Sequence, residues 1–173
     1  MLAWLDLETT GLNPATDKIL SIATVVTDND LNIVAKGQEI IIHQTDDVLD
    51  NMNEWCVNQH GKSGLTDKVR ASKHDLIDSE VFTLIFLEGY MNSNTSPMCG
   101  NSISQDRRFL RQYMSSLHEY FTYQHIDVST TKLLCEMWYP NIPPYVKNST
   151  HLAMDDVLES INELKYYREH MMK

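Results

Sequence analysis

The sequence predicts an α/β domain built on a mixed β-sheet, and two observations carry that prediction. Three runs rich in Ile, Val, Leu and Thr, at residues 2–8, 19–28 and 31–42, open the chain and read as consecutive strands. After them, short apolar strands alternate with stretches of helical periodicity, the pattern of strand-turn-helix units. A meander of neighbouring strands followed by such units gives antiparallel pairs on one side of a sheet and parallel pairs on the other. At 173 residues the chain is long enough for one well-cored domain. No stretch has linker composition, so residues 1–173 are expected to form a single domain.

Each element has a local reason. Asp28-Asn29-Asp30 reads as the turn between the second and third strands. Leu49, Met52 and Trp55 recur at three-residue steps, which predicts a helix from about Asp47 to His60, ended by Gly61 and Gly64. A second helix is expected from about Asp78 to Met91, with Val81, Leu84, Ile85 and Tyr90 for packing. Asn92-Ser93-Asn94-Thr95-Ser96-Pro97 is loop material. Met98-Cys99 is a short strand, and Gly100-Asn101-Ser102 turns the chain into a helix with Phe109, Leu110, Tyr113, Met114 and Leu117 on its core face. Ile126-Asp127-Val128-Ser129 is a further strand, followed by a helix through Met137. The last helix spans about Leu152 to His170, with Val157, Ile161, Leu164 and Tyr167 or Arg168 on successive turns.

Composition narrows the function classes. A net charge of −10 disfavours a general DNA-binding module, which needs a broad basic face, more than an enzyme acting on small anionic substrates. Cys56, Cys99 and Cys135 are odd in number and lack CxxC spacing, against a disulfide framework and against structural zinc. They are expected reduced and partly buried. The first residues enter an apolar strand without a basic leader, and no apolar run reaches membrane-spanning length, so a soluble cytoplasmic protein is expected.

Asp6 and Glu8 are the first chemical cluster. In a strand, residues i and i+2 share a face, so both carboxylates point one way at the end of an otherwise apolar element. Like charges that close repel unless solvent or a cation intervenes. Oxygen donors of this kind suit Mg²⁺ or Mn²⁺; the ordinary reading is a strand end facing water. Asp106, in the first turns of the middle helix, is a third acid and stands apart from that pair. The third cluster is Thr150-His151-Leu152-Ala153-Met154-Asp155-Asp156. Within one helix, His151 and Asp156 would lie about 140° apart, so they can converge only if His151 sits in the loop before it. Pro140, Pro143, Pro144 and Asn148-Ser149-Thr150 keep that segment irregular and supply caps. Asp155 and Asp156 also fit plain first-turn electrostatics, and Asp155 is given no other role.

D-x-E on the first strand, an Asp entering a middle helix and H-x-x-x-x-D entering the last together resemble the DEDDh class of 3′-to-5′ exonucleases on the ribonuclease H-like fold. Within that class, five stretches resemble the oligoribonuclease family, whose members clear very short RNA fragments. They are Trp4-Leu5-Asp6-Leu7-Glu8, Met52-Asn53-Glu54-Trp55, the run from Cys99 to Leu110, Asp127-Val128-Ser129-Thr130 and Tyr166-Tyr167-Arg168-Glu169-His170. The similarity covers essentially the whole chain.

The resemblance implies roles residue by residue. Asp6, Glu8, Asp106 and Asp156 match the metal-binding carboxylates, and His151 matches the general base. Two cations about 4 Å apart would hold the scissile phosphate. Leu12 matches an apolar wedge against the 3′ base, and Trp55 and His60 match residues of the nucleotide pocket, although Trp55 fits a helix core position equally well. Ser102 and Ser129 match positions that hold the 5′ phosphate and limit substrate length. Tyr123 matches a tyrosine that reaches the neighbouring subunit's site, implying a homodimer. Gln124 departs from the pattern, standing where an arginine would contact the 5′ phosphate; Thr9 replaces a common methionine. The implied activity is Mg²⁺- or Mn²⁺-dependent release of 5′-mononucleotides from short single-stranded RNA. Two alternatives remain: a DEDDh exonuclease for longer or structured substrates, and a silent nucleic-acid-binding module.

Overall fold

The computed structural model describes residues 1–147 and 152–171. Strands β1 (Leu2–Thr9) and β2 (Ile19–Thr27) are antiparallel, and β2 pairs in the same sense with β3 (Ile33–Lys36) and β4 (Ile40–Ile41). On the other side of β1 lies β5 (Met98–Gly100), parallel to it, and then β6 (His125–Asp127), parallel to β5. The path across the sheet is β3-β2-β1-β5-β6, the mixed architecture expected.

Alternation along β1 divides the core into two faces. Ala3 and Leu5 pack with Met98, Phe109 and Leu110 on one side. Trp4 packs with Val128, Ala153, Val157 and Ile161 on the other. All nine residues of β2 are buried, as a strand covered on both faces requires. Trp4 is fully buried, and its indole N–H donates to Thr27 Oγ1 at 3.0 Å, satisfying the one polar atom it carries inside.

Several element boundaries differ from expectation, each for a local reason. The run at 31–42 is two strands, separated where Gly37 N–H bonds back to Thr24 O at 2.8 Å. The helix expected over 47–60 is α1 (Asp46–Asp50) and α2 (Glu54–Lys62), because Asn53 caps the second by accepting from Cys56 N–H. Gly61 lies inside α2. Gly64, with φ 73°, starts rather than ends a helix, α3 (Leu65–Ala71), which the periodicity does not predict.

Helix α4 (Leu76–Glu88) begins earlier than expected, capped by Asp75, and turns a different face inward. Ser79, Thr83 and Leu87 are its buried residues, whereas Val81, Ile85 and Tyr90 are exposed. The Ser79 and Thr83 hydroxyls donate to carbonyls one turn back, so this polar stripe enters the core satisfied. The helix after β5 is split at Met114 into α5 (Ile103–Tyr113) and α6 (Ser115–Tyr120), yet Phe109, Leu110, Met114 and Leu117 are buried as anticipated.

Val128 and Ser129 are not strand residues. They open α7 (Val128–Trp138), because Asp127 caps it by accepting from Ser129 N–H at 3.0 Å. The last helix is α8 (Ala153–Met171), which buries Val157, Ile161 and Tyr167; Arg168 points outward. Cys56, Cys99 and Cys135 are free and buried. Among the described residues, no helix is long and apolar enough to cross a membrane.

Candidate active site

The parallel strands β1, β5 and β6 end on one edge of the sheet, where α5 and α7 begin, and ligands of α/β sheets bind outside such carboxyl ends. Asp6 and Glu8 share the Trp4 face of β1, the face that α8 covers. Asp156, in the first turn of α8, meets them there. Carboxylate oxygens of Asp6, Glu8 and Asp156 all lie within 4.8 Å of one another.

Asp106 enters from α5. It is buried, and its Oδ1 accepts from Leu7 N–H at 3.0 Å, which fixes the carboxylate against the acid strand. Gly100 permits this approach: a Cβ there would lie 2.8 Å from both Leu5 O and Ile103 Cδ1. The four predicted acids are therefore brought to one place. Asp155 lies beside Asp156, part-buried in the same turn.

The electrostatic consequence is large. Burial first, then Asp106, Glu8 and Asp156, push the Asp6 carboxyl well above its ordinary range, while Lys147 works the other way. Glu8 is pushed up to about 8, by burial, then by Asp156, Glu39 and Asp106. Asp106 is also raised, chiefly by burial. Such a cluster is costly as bare carboxylates, and divalent cations with oxygen preference would relieve the repulsion. The donor set fits Mg²⁺ or Mn²⁺: oxygens only, close together and partly exposed.

Beside the acids, a cavity of about 410 Å³ is lined by Glu8, Leu12, Asn53, Trp55 and His60 among others. Leu12 is 76% exposed and Trp55 61% exposed, which excludes the core position that its spacing also allowed for Trp55. The loop bearing Leu12 is held by a hydrogen bond from Gln105 Nε2 to Leu12 O. His60 is buried at the cavity's base. Its Nε2 bonds Thr9 O at 3.0 Å, where the β1–β2 register shifts between Glu8 and Thr9, and its Nδ1 lies 3.9 Å from Glu8 Oε2. A separate cavity of about 450 Å³, under α4 and lined by Glu39, His74, Phe82 and Phe86, contains none of the four acids.

The expected phosphate-end serines also meet. Ser102 Oγ and Ser129 Oγ are 3.1 Å apart, and Ser102 N–H is shared between Ser129 Oγ and Asp127 Oδ1, both at 3.0 Å. Tyr123 is 87% exposed in the loop before β6 and belongs to none of the hydrophobic clusters, and Gln124 is exposed beside it. Arg107 anchors that loop by donating to Thr122 O at 2.7 Å. His151, with the Asn148-Ser149-Thr150 caps, lies outside the described residues.

Behind the serines is a polar network that sequence reasoning does not single out. Ser129 Oγ donates to Asn101 Oδ1 at 3.0 Å, and Asn101 Nδ2 donates to Ser160 Oγ at 2.8 Å and to Glu163 Oε2 at 2.9 Å. Lys147 pairs with the buried Glu163 at 2.8 Å. A signal for it is present in α8: Asp156, Ser160 and Glu163 recur at i, i+4 and i+7, a polar stripe on one face.

Similarity to known proteins settles the family. The exonuclease family typified by RNase T matches residues 3–164. The chain is 56% identical to the oligoribonuclease of Pseudoalteromonas translucida over 169 residues, covering 97% of this chain and 93% of that protein. It is 51% identical to the oligoribonuclease of Pseudomonas fluorescens, covering 99% of this chain and 96% of the relative. The chain belongs to the oligoribonuclease family of exonucleases. It is thus a nuclease, a phosphodiester hydrolase.

Solved structures of exonuclease I share the fold at low identity. The zinc-bound E. coli enzyme with single-stranded DNA superposes with a TM-score of 0.77 at 18% identity, over 98% of this chain. The Methylocaldum szegediense enzyme gives 0.71 at 17% identity over 99% of this chain. This chain spans 41% of the length of either, so the likeness concerns the shared ribonuclease H-like domain. The oligoribonuclease family and the acid cluster agree with the fold class and the nuclease activity that the motifs implied.

Proposed function

We propose that this chain is a 3′-to-5′ exoribonuclease that degrades very short single-stranded RNA to 5′-mononucleotides. The observation that carries this reading is the convergence of Asp6, Glu8 and Asp156 within 4.8 Å, with Asp106 buried against them, in a chain half identical to oligoribonucleases.

Asp6, Glu8, Asp106 and Asp156 would hold two Mg²⁺ or Mn²⁺ ions. When bound, these ions supply Lewis acidity, lowering the pKa of the attacking water and neutralising charge on the leaving 3′ oxygen. The remaining work falls to the chain. His151 accepts the proton of the attacking water, a task suited to an imidazole that is neutral near pH 7. Leu12 and Trp55, both exposed at the cavity mouth, wedge and stack the terminal bases. Stacking is worth about 1–3 kcal/mol per base whatever the base, which suits a substrate of mixed sequence. His60 holds the Thr9 carbonyl and so keeps the end of β1 beneath that cavity. The Ser102–Ser129 pair receives the 5′ phosphate and sets the length.

Residues 1–173 act as one catalytic domain, in the cytoplasm, as a homodimer. The exposure of Tyr123 supports its reaching a second subunit's site, since nothing in its own hydrophobic cores claims it. A time course on labelled RNAs from dinucleotide upward, with and without Mg²⁺, tests the reading. Metal-dependent release of mononucleotides with preference for the shortest substrates is expected. Preference for long strands would reassign the chain to a longer-substrate exonuclease, and no hydrolysis would leave a binding module. Mixing His151→Ala with Tyr123→Ala chains should restore part of the activity, and no restoration would remove the shared site.

A further inference from the structure

The hydrogen bonds behind the serine pair have only one consistent set of proton directions. Glu163 can only accept, and its Oε2 already faces Lys147 Nζ at 2.8 Å. Ser160 sends its single hydroxyl proton to Asp156 O at 2.8 Å, so toward Asn101 it too can only accept. Both neighbours demand the amide nitrogen of Asn101, which turns Oδ1 toward Ser129. Ser129 then gives its proton to Asn101, and its oxygen is left to accept from the N–H and hydroxyl of Ser102. Ser102 is exposed; its hydroxyl is the one proton in the series that can swing to a ligand without breaking a buried bond.

We infer that Asn101 and Glu163 are positioning residues for recognition of the substrate's terminal 5′ phosphate: they lock Ser129 as an acceptor and thereby make Ser102 the serine that donates to that phosphate. This rests on the reading that the serine pair holds the phosphate. It adds that the two serines are not equivalent, and that the carboxylate selecting between them is Glu163, on the helix that carries Asp156. Glu163 is 2% exposed and Ser160 3% exposed, so water does not compete for either bond.

The test is the ratio of kcat/KM on a dinucleotide with a 5′ phosphate to that on the same dinucleotide with a 5′ hydroxyl. Ser102→Ala should lower the ratio about tenfold, the value of one hydrogen bond to a charged group. Asn101→Ala should lower it by a similar factor, mainly through KM on the phosphorylated substrate. The Ser102→Ala/Asn101→Ala double variant should be no worse than Ser102→Ala alone. Glu163→Gln, whose amide can face Asn101 with either end, should lower the ratio about threefold; it also serves if Asn101→Ala does not fold. Equal loss on both substrates, or an unchanged ratio in the Asn101 and Glu163 variants while Ser102→Ala lowers it, overturns this inference alone. An unchanged ratio in Ser102→Ala overturns the phosphate reading and the inference with it.

Discussion

At one end of the site, Asp6, Glu8, Asp106 and Asp156 crowd together; burial and the neighbouring acids raise the pKa of Asp6 and Glu8, and burial chiefly raises that of Asp106. At the other, Ser102, Ser129, Asn101 and Asp127 satisfy one another's hydrogen bonds almost completely. Both ends hang on the same strand edge and the same helix, α8, yet one is crowded with like charge and the other is held by hydrogen bonds. The difference marks what each is for. On the proposed reading, crowded carboxylates would be completed by divalent cations, whereas a satisfied network would hold one or two donors still.

The sharpest way to break this contrast is to neutralise the crowded end. Asp6→Asn or Asp156→Asn should lower dinucleotide hydrolysis by at least about a thousandfold, the scale lost when metal-based catalysis is removed. In EDTA the same variants should melt at or above the temperature of the parent chain, because a repulsive charge has gone. A fall of several degrees in that scan would mean the acids stabilise the fold, and the contrast would fail.

A smaller effect lies in pH. The folded chain holds protons on Asp6, Glu8 and Asp106 that the unfolded chain has released, so ΔG of unfolding falls as pH rises. For Glu8 this loss runs from its ordinary value near 4.5 up to about 8. The metal-free melting temperature should therefore drop between pH 5 and pH 8, by about 4 °C or more. Added Mg²⁺ should recover more of it at pH 8 than at pH 5. A metal-free curve that is flat or rising would contradict the strain assigned to this end.

The smallest effect belongs to the ordered end. Gln124→Arg should favour 5′-phosphorylated dinucleotides about threefold, the value of an exposed charge pair, and leave the melting temperature unchanged. Kinetics on the phosphorylated and hydroxyl dinucleotides measure it, and a gain on both alike would place Gln124 away from the phosphate.

How much of this is legible in the sequence follows the same division. Asp6 and Glu8 are readable because a strand has a strict two-residue alternation, and the first turn of α8 because helical spacing places Asp156. The mixed sheet follows from the order of apolar runs. The break at Asn53 escapes notice because three-residue steps continue through a cap. On α4 the larger side chains suggest the packing face, yet Ser79 and Thr83 go inside by bonding their own helix. The Asn101–Glu163 link is not readable, since its partners are separated by 62 residues and depend on donor direction, which periodicity does not encode.

Trp4 adds a consequence of another kind. Its bond to Thr27 pins the phase of β1 inside the core, two residues before Asp6 and four before Glu8. The segment therefore works by parity. One residue inserted or lost between Trp4 and Asp6 would leave a strand of nearly the same composition, but would send both carboxylates to the side now occupied by Ala3 and Leu5. The segment should tolerate many spellings and almost no change of length, so what places its two acids lies as much in counting as in chemistry.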